Sequence, residues 1–231
     1  MQLFFGKRTP GNLVLLDEEE SRHCAQVLRK RLGDVLLVVD GDGNLLEGPI
    51  LEIGKKQVTI SVQKITPEFG KRARHLHVAI APTKNMERLE WFFEKAAETG
   101  IDEITLLLCE HSERTKIRLD RLQKILVSAM KQSLTAYLPR LNDLTKFEDF
   151  VKKDFAGAQK FIGYCGAELP PLKEVFQPEK STLIMIGPEG DFSKKEFEMA
   201  VDSGFAGISL GATRLRTETA GLVATVLANY L

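Results

Sequence analysis

Two regimes of hydrophobic patterning divide the chain. Within residues 1–70 short apolar runs follow one another closely, at 35–39, 44–53 and 57–65, separated by Asp40-Gly-Asp-Gly43 and Gly54-Lys-Lys56. Asp-Gly turns between such runs are hairpin signals, so residues 1–70 are expected to form a small, mostly antiparallel β domain. One helix is expected inside it. Residues 17–30 begin with Asp17-Glu-Glu-Glu20 and end on Arg29-Lys30, charges that complement the helix macrodipole, and Gly33 follows as a stop.

From residue 75 the rhythm changes. Apolar runs at 76–80, 103–108, 160–164, 183–186 and 207–210 alternate with amphipathic stretches at 85–99, 119–136, 193–204 and 218–231. The runs are short, branched and bounded by glycine, which predicts buried strands; their alternation with helices specifies βαβ units and a parallel sheet. Ser193-Lys-Lys-Glu196 has the spacing of a capping box and should start a helix. Thr66-Pro-Glu-Phe-Gly70 lies between the two regimes and reads as a linker. Two glycine-bearing turns, 187–191 and 209–216, then fall at strand C-termini, the edge of a parallel sheet where ligands bind.

Composition changes this picture little. Hydrophobic residues at 43% and charged residues at 28% describe a folded globular chain with a sizeable core. Lys plus Arg equals Asp plus Glu at 32 each, so a nucleic-acid partner would have to be met by local basic clusters such as Arg29-Lys-Arg31 and Lys71-Arg-Ala-Arg74. Three widely spaced cysteines fit no disulfide framework and suit a reducing compartment. With no secretory signal pattern and no apolar run of membrane-spanning length, a cytoplasmic location and no membrane partner are expected.

Several chemistries lack their residues. Neither Gly-x-Gly-x-x-Gly nor a Walker-type Gly-Lys-Ser/Thr occurs, so the common phosphate cradles are missing. His75-Leu-His77 and Cys109-Glu-His111 are close pairs without further N or S ligands nearby, and no metal is expected. No Gly-x-Ser-x-Gly elbow is present. The polar residues concentrate instead in the two C-terminal turns. Gly187-Pro-Glu-Gly190 permits unusual backbone angles and close approach of a ligand, and Arg216-Thr-Glu-Thr219 sets opposite charges at a helix start. Taken singly, each also fits a plain reading: a tight turn with an exposed Glu189, and a helix capped by Thr217.

Together these motifs are more specific. Ile186-Gly-Pro-Glu-Gly-Asp191, Ser209-Leu-Gly211 and Leu215-Arg-Thr-Glu-Thr-Ala220 resemble the RsmE family of SPOUT RNA methyltransferases. The likeness extends to Ala81-Pro-Thr-Lys-Asn-Met-Glu-Arg-Leu-Glu90, Glu94-Lys-Ala-Ala-Glu-Thr-Gly100, Glu113-Arg-Thr115 and Gln132-Ser133. It also takes in His23-Cys-Ala-Gln-Val-Leu-Arg29 with Gly33-Asp34, and so covers essentially the whole chain. One departure stands out. The family often carries Glu-Gln-Ser-Gly-Arg where this chain reads Lys131-Gln-Ser-Leu-Thr135, so an arginine contact to RNA or active site is in question.

The resemblance implies an α/β fold: a SPOUT-type parallel sheet with a trefoil knot over residues 71–231, preceded by a PUA-like β-barrel over residues 1–70. It implies S-adenosylmethionine as cofactor and methylation of uridine N3 in 16S rRNA of the small ribosomal subunit by a homodimer. Cofactor binding is then expected from Ile186, Gly187, Pro188, Glu189 and Gly190, from Leu210, Gly211 and Leu215, and from Arg216, Thr217, Glu218, Thr219 and Ala220. Arg216 and Arg114 are candidates for the charge that stabilises a uracil anion, and Glu218 for a polar or basic role, against a helix-terminal ion pair with Arg216. RNA contacts are expected from Arg22, Arg29, Lys30, Arg31, Lys84 and Arg88. The apolar final helix should lie in a two-fold interface. Other readings are a SPOUT enzyme acting on ribose 2′-OH of tRNA, and a non-catalytic, ribosome-associated RNA-binding protein.

Overall fold

The computed structural model describes residues 1–155 and 157–231, which divide into two units, Met1–Arg72 with Val127–Leu138 and Ala73–Leu126 with Pro139–Leu231. The first unit is therefore discontinuous in sequence. It contains β1 (Leu3–Thr9), β2 (Leu13–Leu16), α1 (Glu18–Arg22), β3 (Val35–Val39), β4 (Leu45–Ile53), β5 (Val58–Ser61) and β6 (Lys64–Thr66). The order β3-β1-β2-β5-β4 closes through a β3–β4 pairing into a five-stranded barrel, with β6 added along β4. Alternation does the packing. Along β4, Leu46, Gly48 and Ile50 are buried, and Leu46 and Ile50 join Phe4, Val14, Leu16, Val38 and Ile60 in the barrel core.

Three details differ from the sequence pattern. The helix expected over 17–30 is α-helical only to Arg22, a single π-turn at His23–Val27 carries buried Cys24 into the barrel core, and Arg29 at φ 53° ends it before Gly33. The run 57–65 breaks between β5 and β6, because Val62 N–H bonds the carbonyl of Asn12 while Gln63 N–H bonds that of Glu47. The chain there leaves β2 and continues along β4, with which both β5 and β6 pair. Residues 66–70 fold onto the first unit, where Phe69 N–H bonds the Gly43 carbonyl and its ring packs on Leu3, Val39, Met130 and Ala136.

The second unit is built on β7 (Leu76–Ile80), α2 (Met86–Thr99), β8 (Glu103–Leu108), α3 (Leu119–Gln132, whose last residues belong to the first unit) and β9 (Arg140–Lys146). It continues with α4 (Phe147–Phe150), β10 (Gln159–Gly163), α5 (Leu172–Val175), β11 (Thr182–Ile186), α6 (Lys194–Asp202), β12 (Ala206–Ile208) and α7 (Thr217–Tyr230). All six strands are parallel, in the order β12-β10-β11-β7-β8-β9. The parallel sheet expected from the βαβ rhythm is present. Every residue of β7 and β11, the two central strands, is buried, as sheets covered on both faces require. The first half of the domain grows outward from β7 to β9 and the second half lies on the other side, so the order reverses between β7 and β11. Such a switch point opens a crevice at the strand C-termini.

Local signals account for most helix ends here. Ser193 accepts from Glu196 N–H while the Glu196 carboxylate accepts from Ser193 N–H, the reciprocal box its spacing predicted. The helix expected over 119–136 stops at Gln132, and Leu134 takes a left-handed φ of 58°. Thr217 is not the cap of the last helix; Arg216 holds that place and Thr217 is the first helical residue.

Candidate functional site

A cavity of about 770 Å3 opens at the C-terminal ends of β10, β11 and β12. Three loops wall it. The loop after β11 contributes Ile186, Gly187, Pro188, Glu189 and Asp191; the loop after β12 contributes Ser209, Leu210, Gly211 and residues 212–217; the loop after β10 contributes Gly163, Tyr164, Cys165, Gly166 and Ala167. Ala220, one turn into α7, completes the lining. Its volume lies within the usual range for cofactor and small-molecule sites, and its mixture of aliphatic wall with few polar groups is typical of them.

The turn 187–191 is tied to every neighbouring loop. The Thr217 hydroxyl donates to the Gly187 carbonyl at 3.0 Å, joining the two motifs that the sequence singled out. The Glu189 carboxylate accepts from Lys84 N–H at 2.9 Å, and its carbonyl accepts from the Arg214 guanidinium at 3.3 Å. Asp191 accepts from Cys165 N–H at 2.8 Å, and its carbonyl meets His111 Nδ1 at 3.0 Å, which fixes the proton on that nitrogen. Loops following β7, β8, β10 and β12 therefore all bond to five consecutive residues.

Backbone geometry explains the glycines at two positions. A Cβ on Gly187 would lie 3.0 Å from Phe192 N and 3.1 Å from its ring, so any larger residue would push the turn open. Gly211 has φ +148° with no neighbour within 4 Å of a built Cβ; conformation, rather than space, excludes a side chain there. Asp191 sits at φ 65°, which its own Oδ1 supports by accepting from Phe192 N–H at 2.8 Å. The Cys165 thiol is pushed above its ordinary range, first by partial burial and then by the Asp191 carboxylate, so it faces the cavity protonated at neutral pH.

The structure gathers most of the residues expected at the site and disperses others. Ile186, Gly187, Pro188, Glu189, Leu210, Gly211, Leu215, Arg216, Thr217 and Ala220 line the cavity. Gly190 packs against His111 instead, and Thr219 is half-buried outside the lining. Glu218 is buried away from the cavity, with Oε1 3.8 Å from Arg88 Nε and Oε2 without a hydrogen-bond partner. Its ion pair is thus with α2, not with Arg216. Arg216 is exposed at the cavity. Arg114 lies on the loop after β8, where it donates to the carbonyls of Thr83 at 3.2 Å and Lys84 at 2.5 Å. Lys84 Nζ pairs with Glu113 at 2.8 Å, which raises the ammonium above its usual range. Arg22, Arg29 and Arg31 are exposed and Lys30 half-buried on the first unit.

Sequence reasoning missed the third wall. Residues 163–167 carry two glycines directly after a predicted strand, the same kind of signal as the other two turns, without a motif to single them out. The close His and Cys pairs have structural surroundings. His77 is buried against Phe150 and Phe155 and meets the Thr105 hydroxyl at 2.8 Å; burial pushes its pKa down to about 4. Burial likewise raises the Cys109 thiol. Among the described residues no three His, Cys, Asp or Glu side chains converge as a metal site would require.

An all-parallel sheet with a switch point, a cavity at its strand ends and a separate small β-barrel define an α/β ligand-binding domain with an appended barrel module. The chain belongs to the RNA methyltransferase domain family, whose model matches residues 71–229, and residues 16–63 match the RNA methyltransferase PUA domain. The chain is similar to a Porphyromonas gingivalis protein described as an rRNA methyltransferase, at 37% identity over 97% of this chain and 95% of that one, with a TM-score of 0.90. A Legionella pneumophila methyltransferase, solved in complex with the cofactor SAM, is 28% identical over 98% of this chain and 95% of its own, with a TM-score of 0.84. The ribosomal RNA small subunit methyltransferase E of Buchnera aphidicola is 28% identical over 215 residues, 90% of this chain and 84% of that protein. The family resemblance and the two-part fold expected from the sequence are borne out.

Proposed function

We propose that the chain methylates N3 of a uridine in 16S rRNA of the small ribosomal subunit, with S-adenosylmethionine as donor. The observation that carries this reading is the cavity at the ends of β10, β11 and β12, on a chain of the RNA methyltransferase family whose relatives include a small-subunit rRNA methyltransferase and a SAM complex. The residues present fit the cofactor. Backbone at Gly187 and Gly211 allows close approach, Ile186, Leu210, Leu215 and Ala220 offer apolar wall to an adenine ring, and Asp191, Ser209 and Thr213 offer polar atoms to ribose and methionine. When bound, S-adenosylmethionine supplies an electrophilic methyl group on sulfonium.

The protein's own part is alignment and charge. Uracil N3 becomes a competent nucleophile only when its proton leaves, and the exposed guanidinium of Arg216 at the cavity is placed to stabilise the resulting anion. Arg114 is the second positive charge, and the carbonyls of Thr83 and Lys84 hold it in one orientation. Glu218, buried beside Arg88, steadies the start of α7 in place of acting as a base.

The remaining assignments belong to the same proposal. The knot of this superfamily, residues 1–70 as the RNA-binding domain, phosphate contacts from Arg22, Arg29, Lys30, Arg31, Lys84 and Arg88, and work as a homodimer in the cytoplasm all follow from the family likeness. No described helix is long and apolar enough to cross a membrane. The decisive experiment is nucleoside mass spectrometry of 16S RNA from cells lacking the protein, before and after restoring it. N3-methyluridine should vanish and return. A ribose 2′-O-methyl product would identify the other enzyme reading, and absence of S-adenosylmethionine binding by calorimetry the non-catalytic one.

A further inference from the structure

Among the described residues, Glu189 is the one carboxylate that both lines the cavity and receives a backbone N–H from the loop after β7. That loop is also what holds Arg114. Lys84 presents its N–H to Glu189 Oε1 at 2.9 Å and its carbonyl to the Arg114 guanidinium at 2.5 Å, while Thr83 gives Arg114 a second carbonyl at 3.2 Å. A single backbone stretch, Thr83-Lys84, thus connects the cavity wall to the arginine. Thr83 is fully buried, with its hydroxyl bonded to the Asn85 carbonyl at 2.7 Å, so the stretch has little freedom of its own except at Lys84. On the other side, the Glu189 carbonyl is held by Arg214, so the carboxylate has a fixed root.

We infer that Glu189 is a positioning residue that sets Arg114 for methyl transfer through the Lys84 peptide, and that its charge is not used on cofactor or substrate. The inference rests on the reading of this site as a methyltransferase centre with Arg114 in the chemistry. The hydrogen bond requires only an acceptor oxygen, which an amide also provides. A carboxylate acting as a base, or paired directly with substrate, requires the negative charge. The two roles therefore separate between Glu189→Gln and Glu189→Ala.

Both variants and Arg114→Ala would be assayed for methylation of small-subunit RNA, with S-adenosylmethionine affinity measured by calorimetry. Glu189→Ala should lower kcat on the order of a hundredfold, the usual result of misplacing a reacting group by about 1 Å, and should change cofactor affinity much less. Glu189→Gln should restore most of the lost rate. In the Arg114→Ala background, Glu189→Ala should cost nothing further, because both substitutions remove the same function. A Glu189→Gln enzyme as slow as Glu189→Ala overturns the inference, as does full additivity with Arg114→Ala or a hundredfold loss of cofactor affinity. Hydrogen exchange of the Lys84 amide judges the contact apart from activity. Slow exchange in wild type and Glu189→Gln with fast exchange in Glu189→Ala supports it, and equal rates in all three overturn it. A wild-type protein that methylates no small-subunit RNA would count against the functional reading instead, and the exchange result would still stand by itself.

Discussion

Arg216 and His77 show how a basic side chain acquires its role from its surroundings. Arg216 stands at the N-cap of α7 without a side-chain capping bond and is exposed at the cavity, so its guanidinium is available to a ligand. Arg216→Ala should therefore reduce methylation by about a hundredfold or more, as loss of a charge-stabilising donor does elsewhere. Its urea midpoint should stay close to that of wild type, since an exposed side chain contributes little to stability. Near-normal turnover would remove Arg216 from the mechanism. His77 is the opposite case. Its folded pKa of about 4 lies below the ordinary 6.5 because burial disfavours the cation, so the unfolded chain binds the proton first. The stability it contributes is intact above pH 6.5 and is lost as pH falls toward 4, by up to about 3 kcal/mol. Urea titrations at pH 7 and pH 4.5 should show wild type losing more stability than His77→Gln, which has no proton to take up in this range.

At the scale of elements, α7 packs on α2 and β7 through Gly221. A methyl group there would come within 2.7 Å of the Phe92 ring and 2.8 Å of Ile80 Cδ1, both fully buried and unable to move aside. Alanine is the better helix former by about 1 kcal/mol, yet overpacking a core costs about 1–3 kcal/mol. Gly221→Ala should therefore lower the urea midpoint, and an unchanged or raised midpoint would show that the helix shifts freely. Steric requirements of this kind cannot be read from periodicity. The strands β11 and β12 could be, because short branched runs between glycines have few other uses. By contrast β9 was invisible: Arg140–Lys146 sits at the sheet edge, alternates weakly and depends on backbone pairing with β8. The cavity divides the same way. Gly187 and Gly211 announce two walls, whereas the third is held by contacts between loops and elements far apart in sequence: Tyr164 stacks on Phe197 and Cys165 N–H bonds Asp191.

For the whole molecule, α7 offers more apolar surface than its own sheet covers. Gly221, Ala224, Thr225 and Ala228 face inward, leaving Leu222, Val223, Val226 and Leu227 half-exposed and Tyr230 78% exposed. A continuous apolar face of this sort suits a two-fold contact. Sedimentation at micromolar concentration should give a dimer, and Val226→Asp should shift it toward monomer; a wild-type monomer would contradict the proposal. RNA affinity should drop steeply with salt if arginines and lysines meet phosphates, and salt-insensitive binding would place recognition elsewhere.

The bond from Thr217 to Gly187 also bears on how the protein is made. The ties from Lys84, His111 and Cys165 reach back to residues made earlier, whereas those from Arg214 and Thr217 wait for the segment that leads into α7. A nascent chain that has emerged only through residue 210 has two walls of the cavity and lacks the segment that closes it. Cofactor capture then waits for the start of α7 to reach this turn, so the pocket becomes competent only with the last of its walls in place.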